Sequence, residues 1–193
     1  MGHKEDLLAG AKKCLREIGY AKTTARDIVA ASGTNLASIG YHFGSKEALM
    51  TQAIIEMLGE WGEGFNLPPD DGASSYAQRF ERHWHAISET IRRDPQLAIA
   101  SFENAATAAR MPELKAIISA GQEAARDGFS EDFASHDADK ATQRAVGSLM
   151  LAVTSGVISQ FLIDPAKTPT SEEIVKAFRY IADAFAQGDK TDA

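Results

Sequence analysis

Apolar residues recur along this chain every three or four positions, which is the spacing of one face of an α-helix. In the first such stretch Leu7, Leu8 and Leu15 fall on one face, and charged side chains occupy the opposite face. No segment alternates apolar and polar residues as a half-buried strand does. The pattern predicts an all-α fold of nine helices, short at the front of the chain and longer behind.

Capping residues and glycines mark the boundaries of the first helices. Gly19 ends a helix over about residues 4–18, as a glycine after the last turn commonly does. Thr24 offers an N-cap oxygen for a short second helix, which ends at Gly33. A third short helix is predicted over about residues 36–41.

Glycine and proline also indicate a domain boundary. Ser45 caps a fourth helix that continues through Leu58, and six glycine and proline residues then fall within residues 59–72. We therefore expect a front domain over residues 1–58 and a second domain over residues 73–193. Five further helices are expected in the second domain, separated at Asp94-Pro95, before Pro112, after about Phe129 and at Asp164-Pro165.

The two short helices around Gly33 are typical of a helix-turn-helix. Ile28 and Ile39 are expected to face inward, whereas small or polar residues on the other side are expected to point away, namely Thr34, Asn35, Ala37 and Ser38. Small outward side chains let a helix enter a major groove, where asparagine can contact an adenine edge and methyl groups can contact thymine. A plain helical hairpin with a solvated face is the alternative.

Charge is distributed unevenly along the chain. The whole chain has 20 Lys and Arg against 27 Asp and Glu; the first 50 residues hold seven of the former and five of the latter, so the remainder holds 13 against 22. The net charge of −7 alone argues against a nucleic-acid-binding protein. The excess of basic residues at the front nevertheless indicates one end that faces nucleic acid.

The run from Ile39 to Leu49 reads IGYHFGSKEAL, and together with the segment before it resembles the DNA-binding domain of the TetR-type repressor family over about residues 5–58. The resemblance implies that the second of the two short helices is the recognition helix. It also implies that the tyrosine-histidine pair and the following lysine contact backbone phosphates, helped by a helix N-terminus. The implied DNA-binding residues are Thr24, Thr34, Asn35, Leu36, Ala37, Ser38, Tyr41, His42 and Lys46. Two positions depart from the family pattern: Gly40 stands where another aromatic residue is common, and Val29 replaces a small residue.

The resemblance implies an effector-binding region over about residues 80–133. The expected ligand-binding residues are Phe80, Trp84, Phe102, Met111, Gln122, Phe129 and Met150, with His85 and Asn104 as further polar anchors. Aromatic residues at helical spacing are more commonly plain core, and that alternative stays open.

Residues 145–163 carry no charge, and small residues recur on one face of this stretch. With the apolar stripe of the last helix, they predict a homodimer interface made of Ser148, Ala152, Ser155, Gly156, Ser159, Phe178, Ile181 and Phe185. The alternatives are a core helix within one subunit and a membrane span, although the serines, threonine and glycines of the stretch make it only moderately apolar.

These features predict a dimeric cytoplasmic repressor that binds a palindromic double-stranded operator and is released by a small apolar or amphipathic effector, with no metal, cofactor or membrane partner. The single Cys14 excludes an internal disulfide and is expected to be a buried thiol. One alternative is a helical ligand-binding or protein-interaction module that has lost DNA reading. An enzyme has less support, because His83 and His85 are two residues apart and point to different helix faces.

Overall fold

A computed structural model describes residues 2–64 and 75–188. Within those ranges the chain forms nine α-helices and a short 3-10 turn at Pro165–Lys167, and it contains no β-strand. The helices are α1 (His3–Glu17), α2 (Ala25–Ser32), α3 (Leu36–Phe43), α4 (Lys46–Glu63), α5 (Tyr76–Arg93), α6 (Pro95–Ala108), α7 (Pro112–Phe133), α8 (Lys140–Ile163) and α9 (Ser171–Gly188). The predicted all-α fold is confirmed.

The predicted boundaries of α2 are confirmed in atomic detail. The Thr24 hydroxyl accepts a hydrogen bond from the Asp27 amide (3.3 Å), and the Asp27 carboxylate accepts one from the Thr24 amide (2.8 Å). These two bonds satisfy backbone donors that the first turn of a helix leaves open. At the other end Gly33 has φ of +67°, a left-handed conformation that glycine adopts without steric cost. Local chemistry therefore fixes both ends of this short helix.

Helix α4 is longer than the sequence predicted. It continues through Gly59 and Gly62 to Glu63, so the expected end at Leu58 is wrong. Leu58 and Trp61 pack against the hydrophobic core, and we attribute the extension to this burial, which outweighs the low helix propensity of the two glycines. The rest of the expected linker, residues 65–72, lies outside the described residues.

The chain forms two compact units. Unit 1 comprises Met1–Glu63 and Asp94–Gly128, and unit 2 comprises Gly64–Arg93 and Phe129–Ala193. In unit 1, α1 packs against α2, α4 and α6 around a core that includes the fully buried Leu7, Leu15, Ile28, Leu49 and Met50. The division into domains 1–58 and 73–193 stays a prediction, since compactness does not show which parts fold independently.

A network of ion pairs joins three helices of unit 1. The Lys12 ammonium lies 2.7 Å from a Glu56 carboxylate oxygen and 2.6 Å from one of Glu60, so it links α1 to α4. Burial lowers the pKa of Lys12, but its hydrogen bonds to the two carboxylates outweigh that effect, and the pKa is raised above the ordinary lysine value. Arg16 lies 3.5 Å from Asp94, which also caps the start of α6 by accepting from the Leu97 amide (3.0 Å). The first helix is thereby tied to both α4 and α6.

Unit 2 contains an aromatic cluster between α5 and the helices that follow. The Phe80 ring lies with its centroid 5.5 Å from that of Phe133 and 4.9 Å from that of Phe178, so the cluster includes residues of α5, α7 and α9.

Helix α8, in the same unit, is long and apolar enough to cross a membrane as judged by length and composition alone. Only 28% of its most apolar stretch is buried within the protein. Much of α8 therefore presents an apolar surface that its own subunit leaves open.

Candidate nucleic-acid interface

Helix α3 is held by its buried side and leaves an exposed side outward. Ile39 is only 4% exposed and anchors the helix in the core of unit 1. Asn35 caps the first turn, because its side-chain oxygen accepts a hydrogen bond from the Ser38 amide (3.0 Å). On the open side Leu36 is 52% exposed and Tyr41 is 86% exposed. An apolar and an aromatic side chain are thus both open to solvent on this side of α3.

Most of the sequence-predicted DNA-binding residues lie on or beside this open side. Asn35, Leu36, Ala37 and Tyr41 are exposed on α3 or its cap. Thr34 and His42 are half-buried, and the Thr34 hydroxyl lies 2.8 Å from that of Ser32. The exposed or half-buried members therefore lie at the two ends of α3, four at its start and two in its last turn. Their contact with DNA remains a prediction.

The structure corrects the predicted direction of the Ser38 side chain. The sequence placed it outward, but it is 9% exposed and lies at hydrogen-bond distance from His3, with 3.4 Å between the serine hydroxyl and the imidazole Nδ1. The first turn of α1 covers this part of α3, which the helical spacing within α3 could not reveal. The predicted outward direction of Ser38 is therefore wrong, whereas its contact with DNA stays a prediction.

The predicted phosphate contacts Tyr41, His42 and Lys46 lie in the last turn of α3 and at the start of α4. The rings of Tyr41 and His42 meet edge to face with centroids 4.8 Å apart. The Lys46 ammonium donates to the carbonyl oxygen of Thr23 (3.1 Å) and lies 3.5 Å from a Glu47 oxygen. Because an ammonium has three donors, Lys46 keeps the capacity for a further anion.

Hydrogen bonding at the start of α2 fixes the charge state of its cap. Hydrogen bonds from the hydroxyl and amide of Thr24 lower the pKa of Asp27 below the ordinary aspartate value. Thr24 is exposed at this helix start, where the open backbone amides favour an anion. The Asp27 carboxylate accepts from both the amide and the hydroxyl of Thr24 and so holds Thr24 at the start of the helix.

The first turn of α1 lies beside the open side of α3, which the sequence did not predict. Besides the His3 contact, the Lys4 ammonium lies 5.9 Å from the centroid of the Phe43 ring. His3 and Lys4 are both exposed. The only sequence signal was the cluster of basic residues near the front of the chain, which did not distinguish Lys4 from Lys12 or Lys13.

Gly40 lies on the exposed side of α3 in open space. A side chain built there would meet no atom within 4 Å outside its own helix backbone. The glycine is therefore not required by packing.

The predicted ligand-binding residues fall in different units. Phe80, Trp84, Phe129 and Met150 belong to unit 2 and are buried there. The fully buried His83, which the sequence did not nominate, joins them: its ring centroid lies 5.4 Å from that of Trp84 and 5.3 Å from that of Phe129. Phe102, Met111 and Gln122 belong to unit 1, where Met111 packs against the core and Gln122 is exposed.

The proposed polar anchors of the ligand set also differ in position. Asn104 is buried in unit 1, whereas His85 is exposed in unit 2. In unit 2, the indole nitrogen of Trp84 and the hydroxyl of Thr154 are buried without a hydrogen-bond partner among the described residues. Within the described ranges, no three His, Cys, Asp or Glu side chains come together as a metal site would require.

The predicted dimer residues are only partly exposed in the subunit. Ala152, Ser155, Ile181 and Phe185 are exposed, with Phe185 at 74%, whereas Ser148, Gly156 and Ser159 are half-buried. Phe178 is half-buried because it contacts Phe80 within the subunit. Large apolar residues that the sequence did not nominate are exposed on the same two helices, namely Leu149, Ile163 and Tyr180.

The two short helices, the left-handed glycine between them and the exposed second helix define a helix-turn-helix protein. Comparison with known proteins then gives the family. Residues 7–53 match the family model of bacterial regulatory proteins of the tetR family, and residues 71–184 match the model of the tetracyclin repressor-like C-terminal domain. The chain belongs to the TetR family of bacterial regulatory proteins.

Individual relatives agree with this assignment. The chain is 39% identical over 101 residues to the HTH-type transcriptional repressor AcnR of Corynebacterium efficiens, an alignment that covers 48% of this chain and 53% of the relative. The match thus spans about half the length of that curated relative.

Among solved structures, GusR of Salmonella enterica superposes with a TM-score of 0.71 at 22% identity, covering 91% of this chain and 92% of GusR. A transcriptional regulator of Rhodococcus sp. Rha1 (RHA1_ro04179) has a TM-score of 0.69 at 18% identity, covering 96% of each chain. The multidrug binding protein EbrR, in complex with proflavin, has a TM-score of 0.69 at 16% identity and covers 93% of this chain and 99% of its own. At these identities the likeness shows the fold.

Proposed function

We propose that this protein is a sequence-specific DNA-binding transcriptional repressor that acts as a homodimer and is released from its operator by a small molecule. The observation that carries the proposal is the exposed side of α3, on which Leu36 and Tyr41 are open to solvent while Ile39 anchors the helix beneath. Family membership supports the same function, since the curated relative AcnR is named as a transcriptional repressor.

The proposed DNA-binding surface combines positioning and reading groups. Tyr41, His42 and Lys46 would contact the sugar-phosphate backbone, and Thr24 would add a contact at the start of α2. Asn35, Leu36 and Ala37 would face the base edges, with Thr34 at the turn. Ala37 and Leu36 offer apolar contact to thymine methyl groups, and Asn35 offers an amide.

The proposed dimer interface follows from the open faces of α8 and α9. Leu149, Ile163, Ile181 and Phe185 are each more than half exposed in the subunit. Exposed apolar residues of this size and number mark a surface that another protein covers. A second copy that contributes the same two helices would form a four-helix interface, and the two-fold symmetry would place two copies of α3 on successive half-sites.

The proposed effector site lies in unit 2. Its aromatic cluster around Phe80, His83 and Trp84 provides apolar surface, and the buried polar atoms of Trp84 and Thr154 could be satisfied by a ligand. The solved complex of EbrR with proflavin supports an aromatic effector for a protein of this fold. Such a ligand would relieve repression by binding better to the conformation that does not bind DNA.

Selection of bound sequences from a random DNA pool tests this function directly. We expect recovery of an inverted repeat whose half-sites are about one helical turn or a multiple apart. Tyr41→Ala should weaken binding to all duplexes, whereas Asn35→Ala should change the preference at one base pair by roughly 1–3 kcal/mol. A pool that remains unenriched, with a folded dimeric protein, would contradict the proposal.

A further inference from the structure

We propose that Lys4, in the first turn of α1, is an additional backbone-phosphate contact, held beside α3 by the neighbouring contact between His3 and Ser38. The inference rests on the proposed DNA-binding function and extends its surface to a helix that lies outside the helix-turn-helix itself.

Lys4 lies near the residues that are already proposed to contact the DNA backbone. Its ammonium lies 5.9 Å from the Phe43 ring centroid, which is 6.5 Å from that of His42, and His42 lies 4.8 Å from Tyr41. Each DNA strand carries a phosphate about every 3.4 Å along the helix axis, so groups separated by distances of this order can meet different phosphates. Lys4 is placed to meet one beyond those of Tyr41 and His42.

Lys4 also differs from other basic residues of α1 in the carboxylates that surround its charge. Lys12 is neutralised by Glu56 and Glu60, and Arg16 lies near Glu60 and Asp94. Lys4 forms no ion pair with any residue in the described ranges, and as a residue it is exposed despite its ring contact. An exposed, unneutralised ammonium beside the recognition helix is available to release counterions from DNA, which is the main source of sequence-independent affinity.

The contact between His3 and Ser38 explains why Lys4 stays at that position. The imidazole Nδ1 and the serine hydroxyl are 3.4 Å apart, and Ser38 is itself fixed because its amide donates to Asn35 at the cap of α3. The first turn of α1 is therefore attached to the same turn of α3 that enters the proposed groove. His3 acts as a positioning residue, and Lys4 makes the contact.

Lys13 provides a matched control on the same helix. It is exposed, forms no ion pair with a described residue, and lies nine residues along α1, which is about two and a half turns and hence the opposite face. Lys4→Gln and Lys13→Gln change the net charge equally. Any difference between them reports where the charge lies, since a general effect of net charge would be the same for both.

The test measures binding of a fluorescent random-sequence duplex by anisotropy over a series of salt concentrations, for the parent and for Lys4→Gln, Lys4→Arg and Lys13→Gln. Each phosphate contact contributes about 0.9 to the slope of log K against log salt, so loss of Lys4 from both subunits of a dimer should lower the slope by about 2 and the affinity at low salt by roughly 10- to 100-fold. Lys4→Arg and Lys13→Gln should keep the parental slope.

The positioning role of His3 has a separate readout. His3→Ala should lower affinity by less than Lys4→Gln does, and His3→Asn, whose amide can reach the position of Nδ1, should restore it. Thermal unfolding of each variant confirms that it is folded, which the exposure of both residues leads us to expect.

Two results would overturn the inference: a parental slope in Lys4→Gln, or an equal loss in Lys13→Gln. If Tyr41→Ala still weakens binding while Lys4→Gln does not, only the inference fails. If the parent shows no salt-dependent binding to any duplex, the proposed function fails with it.

Discussion

Helices α1 and α2 approach most closely at Gly10. A methyl group added there would lie 2.8 Å from the Ser32 Cβ, 3.0 Å from the Ile28 carbonyl oxygen and 3.0 Å from the Ser32 amide nitrogen. Two of these three atoms belong to the backbone of α2, so they can only move if the helix moves. Gly10→Ala therefore forces α2 away from α1.

The size of the effect follows from two opposing terms. Alanine is favoured over glycine in a helix interior by about 1 kcal/mol, whereas inserting a methyl group into a close-packed contact costs about 1–3 kcal/mol. Gly40→Ala is the matched control, because it makes the same change on a helix where the methyl group meets nothing within 4 Å. We expect Gly40→Ala to stabilise the protein by up to about 1 kcal/mol, and Gly10→Ala to be less stable than Gly40→Ala by about 1–3 kcal/mol.

Urea unfolding followed by circular dichroism measures this difference. The parent and the two variants are compared at one protein concentration, because association of subunits would shift the midpoint. The midpoint of Gly10→Ala should fall below that of Gly40→Ala with an unchanged slope. DNA affinity of Gly10→Ala should fall as well, since α2 carries the turn that orients α3. Equal midpoints for the two variants would refute the close-contact argument.

Three further predictions concern the interface, the cap and the thiol. Phe185→Lys should convert the dimer to a monomer in sedimentation velocity and weaken operator binding, whereas the equally drastic Ile55→Lys, on an exposed apolar residue of α4, should leave the dimer intact. The pKa of Asp27 is lowered, so the stability contributed by its hydrogen bonds to Thr24 is complete above the ordinary value of 3.8 and is lost as the pH falls through the lower folded-state value. Asp27→Asn should therefore flatten the acid limb of a plot of Tm against pH. Parallel acid limbs for the parent and the variant would contradict this. Cys14 is 2% exposed, and burial raises the pKa of its thiol. Ellman's reagent should therefore react slowly with the native protein and rapidly with the protein unfolded in urea. A fast reaction without urea would show that the thiol is accessible.

Features set by neighbouring residues in the chain could be predicted from the sequence. Thr24 and Asp27 form their cap, and Gly33 makes its left-handed turn, because both depend on residues within a few positions. The inward directions of Ile28 and Ile39 follow from helical spacing in the same way. The all-α fold and the order of its helices are the sum of many such local signals.

Features set by contacts between distant residues could not be predicted. Ser38 is buried because the first turn of α1 reaches it across 35 positions of sequence. Phe102 and Met111 were grouped with Phe80 on their position along the chain, yet they belong to the other compact unit. The spacing of residues within one helix says which side chains share a face, but not which partner covers that face.

The cap on α3 restricts what Asn35 would distinguish in a base pair if it contacts a base as proposed. Recognition of adenine by asparagine uses both halves of the amide, with the oxygen accepting from N6 and the nitrogen donating to N7. In this protein the oxygen already accepts one hydrogen bond, from the Ser38 amide, so the NH2 group is the half of the amide with both of its donors left for a base. Adenine, guanine and thymine each present an acceptor in the major groove, whereas cytosine presents only a donor. An Asn35 that contacts a base through its NH2 group alone would therefore discriminate chiefly against cytosine at the proposed contact position.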